Sequence, residues 1–244
     1  MKQEWQAFWL AVGFLTRIPM PVTIDYSQTL MNRSSLYFPL VGLLLGGLYA
    51  ALFTGLAAFW SLPVCIGLVL AFHLWTTGAF HEDGLADSMD ALGGGYTVAR
   101  RLEIMKDSRI GTYGAVALFV ALGLKVVLLM DAEPVWLALL VTPAIGRLTP
   151  LLLMRFLPYV TDPDTSKSKP VAEAFSGQRL LLATLFTVVV ALLFSVWLPA
   201  LLAVGVVALL WGASLKRQLG GYTGDALGAS VVFTELVFLV GLTL

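Results

Sequence analysis

The sequence predicts an all-α fold, a polytopic membrane helix bundle of about seven transmembrane helices behind an N-terminal interfacial helix. Three observations predict it. Hydrophobic residues make up 59% of the 244 residues, and charged residues only 12%. Mean hydropathy is +0.88. The apolar residues gather in runs near the ~20 residues that a helix needs to cross the hydrocarbon core. Soluble domains carry about 25% charged residues, so these few charges do not cover a soluble globule of this length. Lipid is the implied solvent.

The elements follow in order. Trp5 to Phe14 is apolar but short and leads into Arg17-Ile18-Pro19 without an Ala-x-Ala cleavage site. It reads as an interfacial helix with Trp5 and Trp9 at headgroup depth, not as a cleavable signal. Spanning helices are expected over roughly 36–58, 62–80, 112–130, 134–156, 179–197, 199–215 and 228–244. Because 179–215 is nearly continuous apolar sequence, the count can shift by one span. Short links near Pro63, Pro134 and Pro199 each offer a proline where a new helix begins. The remaining connections, 81–111, 157–178 and 216–227, are long and polar.

Every Lys and Arg outside the spans falls on the side of these long connections, Lys167 and Lys169 among them. Only Lys125 and Arg147 lie well inside spans, since Arg155 and Arg179 stand at span ends on that same side. The positive-inside rule therefore places the long connections in the cytoplasm. Lys125 is expected to snorkel, whereas Arg147 and Glu235 are intramembrane charges and functional candidates. Residues 1–244 form one domain, with no internal repeat. The formal net charge of +0 implies no nucleic-acid partner. The single cysteine, Cys65, excludes internal disulfides and zinc clusters. Oligomeric state stays open, a homo-oligomer included.

The strongest chemical signal is His81-Glu82-Asp83-Gly84-Leu85-Ala86-Asp87-Ser88-Met89-Asp90. On a helix, Asp83, Asp87 and Asp90 share one face at i, i+4 and i+7. Stacked like charges repel, and a hard divalent cation relieves the repulsion. Mg²⁺ fits, because it takes carboxylate oxygens and keeps positions for waters and substrate phosphates. The bland reading is a solvated acidic helix end. Glu82 points off that face. His81 either orients a ligand, acts as acid or base, or merely caps span two.

A second cluster, Arg100 to Gly111, contributes Lys106 and Arg109 as contacts for a diphosphate and Asp107 as a further metal ligand. Its bland reading is a helix laced with ion pairs. A third, Leu219 to Gly228, contains close glycines and Asp225, which is either a site acid or a helix cap. Carboxylates, Mg²⁺ and cations at one membrane face point to phosphoryl-group transfer.

Five stretches carry a resemblance: Phe14 to Pro19, Phe38 to Gly46, His81 to Asp90, Met105 to Gly114 and Gly221 to Ala229. In this order, over nearly the whole chain, they are similar to the cobalamin synthase (adenosylcobinamide-GDP ribazoletransferase) family. The resemblance implies that adenosylcobinamide-GDP and α-ribazole, or its 5′-phosphate, give adenosylcobalamin, or its 5′-phosphate, and GMP. It also implies Mg²⁺ dependence and a multi-pass place in the bacterial inner membrane, where the positive-inside rule sets the site facing the cytoplasm. In that frame Asp83 and Asp87 are catalytic, and Asp83, Asp87, Asp90 and Asp107 hold metal. Lys106, Arg109, Asp225, His81 and Arg17 contact substrate. The chain departs from the family's pattern at Ala91, where glycine is frequent, and at Glu82, where an apolar residue is common.

Two rivals differ in what they require. A CDP-alcohol phosphatidyltransferase needs Ala-Arg after the Asp-Gly pair, where this chain has Leu85-Ala86. A transporter usually keeps its acids near the bilayer midplane, not in loops.

Overall fold

The computed structural model describes residues 2–160, 175–193 and 197–243; Lys167 and Lys169 lie outside the described residues. The helices are α1 (Lys2–Leu15), α2 (Gln28–Ser34), α3 (Phe38–Leu56), α4 (Leu62–Thr77), α5 (Phe80–Gly94) and α6 (Val98–Met105). They continue as α7 (Thr112–Asp131), α8 (Val135–Gly146), α9 (Leu148–Phe156), α10 (Gly177–Ala191), α11 (Trp197–Gln218) and α12 (Gly224–Leu242). The one β-type contact among the described residues is an isolated bridge between Tyr159 and Tyr222.

The expected spans map onto these helices, with two differences. Among the described residues, five helical stretches are long and apolar enough to cross a membrane, or six if the bent pair α4–α5 counts as one. The chain is therefore a multi-pass membrane protein. Segment 179–197 corresponds to α10, which at 15 residues is shorter than a full span. Segment 62–80 ends early, at Thr77, because Gly78 takes a left-handed conformation (φ 69°) and Ala79 does the same (φ 55°). The chain then turns 85° into α5. So the long polar connection expected over 81–111 is not a loop in its first half. Its first half is a helix packed against α12 and α7.

Close helix approach depends on small residues, as in other membrane bundles. α3 and α8 are in extensive contact. A Cβ on Gly42 would collide with the Pro143 carbonyl, and one on Gly46 with the Leu140 carbonyl. Their i, i+4 spacing makes a flat strip on α3 into which the α8 backbone fits.

The intramembrane charges pair across helices. Lys125 Nζ on α7 lies 2.6 Å from Glu235 Oε2 on α12, and Arg147 at the α8–α9 junction lies 3.6 Å from Oε1. Lys125 does not snorkel: its ammonium turns inward to Glu235, because a buried carboxylate offers more than the long reach to headgroups. Arg147 is 1% exposed and also donates to the Pro143 carbonyl at 2.7 Å. Glu235→Gln should leave two buried cations without their anion, at a cost of about 3–5 kcal/mol. A clear fall in the melting temperature of the detergent-purified protein is expected; an unchanged melt would show that the triad contributes nothing net.

Candidate active site

α5 owes its position to the corner that precedes it. A left-handed alanine costs roughly 1–2 kcal/mol, so Ala79 needs support from its surroundings. The support is visible. The Ala79 N–H donates to the Leu74 carbonyl at 2.9 Å, and the Arg17 N–H donates to the Thr76 carbonyl at 2.7 Å. The chain after α1 is thus laid over the end of α4, with the Arg17 side chain against Gly78.

From that corner α5 presents two faces. His81, Glu82, Leu85 and Ser88 point into the bundle. Asp83 is exposed and Asp87 half-buried. Both line a cavity of about 580 Å³ whose walls also include Phe14, Thr16, Arg17, Thr77, Ser108, Ile110 and Leu118. Four separated stretches therefore meet there: the end of α1, the α4–α5 corner, the loop after α6, and α7.

Asp225 comes in from a fifth stretch. Thr223 caps α12, its hydroxyl accepting from the Ala226 N–H at 3.2 Å, so Asp225 is not the cap. It sits in the first turn, where the helix dipole favours a carboxylate. A Cβ on Gly84 would come within 2.6 Å of the Asp225 carbonyl oxygen, so only glycine lets α5 rest on this turn. Asp83 then acts electrostatically on Asp225, and Asp87 feels Asp225, Asp83 and Asp90. The aspartate field spans two helices, which periodicity on one helix does not reveal.

The other candidates fall into different places. Asp90 is 8% exposed, and both its oxygens are engaged. Oδ2 accepts the Gly111 N–H at 2.6 Å, and Oδ1 accepts the Gly114 N–H at 2.8 Å. The helical register of the three aspartates is as expected, but the loop before α7 covers the end of α5 and takes Asp90 for its own backbone. Asp107 is bound by Arg109, whose Nη2 lies 2.7 Å from Oδ2 and whose backbone N–H bonds Oδ1 at 3.1 Å. That guanidinium holds the Asp107 carboxyl down to about 2. Arg109 itself reaches into solvent, and Lys106 is exposed. The residues of this loop that line the cavity are Ser108 and Ile110. His81 is 3% exposed and borders a small apolar space with Phe14, Phe38 and Leu227. Of the proposed substrate contacts, Arg17 is the cation placed on the cavity wall. The Arg100–Glu103 pair is an exposed intrahelical one, while Arg101 ties α6 to the Gln218 carbonyl at 2.8 Å.

Sequence reasoning missed Thr16, Thr77 and Ser108, whose backbone or hydroxyl groups line the cavity. Thr16 and Ser108 lie inside motifs singled out for other residues; Thr77 carries no local signal.

Among the described residues, no group of three or more His, Cys, Asp or Glu side chains converges as a ready-made metal cage. Mg²⁺ does not require one, since one or two carboxylates with waters and substrate phosphates suffice. The mutually repelling, hard oxygen donors of Asp83, Asp87 and Asp225 fit that partial set.

The sequence profile of the family described as Cobalamin-5-phosphate synthase matches residues 7–243. The chain belongs to this family. Within it, a curated relative from Vibrio cholerae, named adenosylcobinamide-GDP ribazoletransferase, is 42% identical over 252 residues, covering 98% of this chain and 94% of the relative. A relative of the same name from Vibrio parahaemolyticus is 44% identical, covering 100% and 93%. One from Leptothrix cholodnii is 40% identical, covering 98% and 95%. No solved structure matches. The Cobalamin-5-phosphate synthase match embraces every stretch that builds the cavity.

Asp90→Ala should free the loop before α7, leaving two backbone donors unsatisfied at about 1–3 kcal/mol each. Limited trypsin digestion should then cut faster at Lys106 and Arg109 than in the parent. Equal cleavage rates would show that the Asp90 bonds do not hold the loop.

Proposed function

We propose that the chain is an adenosylcobinamide-GDP ribazoletransferase. It joins adenosylcobinamide-GDP with α-ribazole, or α-ribazole 5′-phosphate, to form adenosylcobalamin, or its 5′-phosphate, and GMP. One observation carries the reading. Three family motifs far apart in sequence, around Arg17, Asp83 and Ser108, meet at one cavity whose wall holds Asp83, Asp87 and Arg17.

In this reading the ribazole hydroxyl oxygen bonds to the phosphorus next to the cobinamide. The bond from that phosphorus to the bridging oxygen breaks, and GMP leaves with the oxygen. Asp83 or Asp87, both on the cavity wall, takes the hydroxyl proton. Arg17 meets the diphosphate, and its fixed charge stabilises the oxygens of the leaving phosphate. Asp83, Asp87 and Asp225 would hold Mg²⁺, which when bound supplies charge neutralisation for the diphosphate. Lys106 and Arg109, at the exposed loop, add cations at the cavity mouth that draw an anionic substrate inward. The apolar walls from Phe14, Ile110 and Leu118 suit the bulk of a corrinoid. The family resemblance implies the bacterial inner membrane, and the lysine and arginine distribution favours a cavity open to the cytoplasm.

The test is incubation of the purified protein, in detergent or liposomes, with adenosylcobinamide-GDP, α-ribazole and Mg²⁺. Cobalamin and GMP should appear in equal amounts and stop on addition of EDTA; a folded sample forming neither sinks the proposal. Asp83→Asn should lower kcat by about 100-fold or more. Near-parental turnover would remove Asp83 from the site. Arg17→Ala should raise the KM for adenosylcobinamide-GDP by about 10- to 100-fold, the worth of a charged hydrogen bond. An unchanged KM would return Arg17 to membrane anchoring.

A further inference from the structure

Glu82 stands beside Asp83 and borders the same cavity, but its buried carboxylate turns into the bundle. Its Oε1 lies 3.1 Å from Nε2 of His73 on α4. The other ring nitrogen, Nδ1, lies 3.0 Å from the hydroxyl of Tyr49 on α3. That hydroxyl is also 3.2 Å from Thr76 Oγ1, one residue before α4 ends. The Tyr49 ring meets the His73 ring edge-on at 5.3 Å between centroids. Three helices are thus joined by one chain of side chains, all buried, directly beneath the corner at Gly78 and Ala79.

Apolar residues would fill this space without the cost of burying a carboxylate and an imidazole in a membrane bundle. Apolar contacts, however, tolerate rotation and sliding. A hydrogen bond between fixed groups does not, and a strained corner persists only where its surroundings over-determine it. The corner has one outer restraint, the Arg17 N–H on the Thr76 carbonyl. The His73–Glu82 bond is the inner one, and it spans the break itself, from α4 to α5.

We propose that Glu82 is a positioning residue. Through His73 and Tyr49 it locks the angle between α4 and α5, and so sets where Asp83 and Asp87 stand in the cavity; its effect on turnover rests on the ribazoletransferase reading above.

The test separates angle from chemistry. In a Cys65→Ser background, spin labels are placed at Trp75 on α4 and at Tyr96 just past α5, both well exposed (68% and 92%). Their distance distribution is measured by pulsed dipolar spectroscopy in detergent. Glu82→Leu keeps the volume and removes the acceptor. Glu82→Gln keeps an oxygen for the His73 N–H. Glu82→Leu should broaden the distribution, while Glu82→Gln restores it. In the transferase assay Glu82→Leu should lose roughly 10- to 100-fold in kcat with little change in KM, the signature of misplaced reacting groups. His73→Leu should act like Glu82→Leu, and the double variant should be no worse than either alone. A folded Glu82→Leu protein with an unchanged distribution overturns the proposal, as does a Glu82→Gln protein as impaired as Glu82→Leu. If the labels respond as expected but the parent protein makes no cobalamin, the lock stands and the ribazoletransferase reading falls.

Discussion

A helix carrying five ionisable residues in its first eleven positions does not belong in the middle of an apolar bundle, yet α5 lies there. What keeps it in place is its seat on the first turn of α12, where Gly84 meets the backbone of Asp225. No side chain fits between the two. The contact brings a carboxylate from each helix together and turns the polar face of α5 toward the cavity. It also lets the buried face, with Leu85, pack on Ala229 and Val232. The proximity of Asp83, Asp87 and Asp225 follows from that approach.

Two polar systems coexist and obey different rules. Lys125, Glu235 and Arg147 are opposite charges at short range in the low-dielectric interior, and they join α7, α12 and the α8–α9 junction. Asp83, Asp87 and Asp225 are like charges set near one another. Pairing serves the fold; in the function proposed above, the enforced proximity of like charges serves a cation and an anionic substrate. Asp90 and Asp107 began as members of the second system by composition. The N–H groups of Gly111 and Gly114, distant in sequence, claim the one, and Arg109, two residues on, claims the other.

Much of this was legible in the sequence because it depends on local rules. Apolar runs of span length, the one-sided lysines and arginines, and the i, i+4, i+7 spacing of aspartates need only helix geometry and the bilayer's thickness. The mistaken details share one cause. The sequence points Lys125 outward and reads 81–111 as a long polar connection, because each is judged by its own stretch. Their partners, Glu235 on α12 and the glycine-bearing turn at Gly224 to Gly228, lie more than a hundred residues away. The separation of Asp90 from Asp83 has the same origin, since Gly111 and Gly114 belong to another helix.

The sequence by itself therefore determined the class of the molecule, an all-α membrane protein of the Cobalamin-5-phosphate synthase family, and which residue types it offers to the proposed chemistry. Periodicity and hydropathy are short-range properties, read within a few turns of helix. Only the tertiary structure decided which of those residues meet. It placed Arg17 on the cavity wall with Asp83, brought Asp225 close enough to feel that charge, left His81 inside, and gave Glu82 its tie to His73. Such meetings are decided by how closely two helix backbones can approach, and that distance depends on whether a glycine on one helix faces the right residue on another.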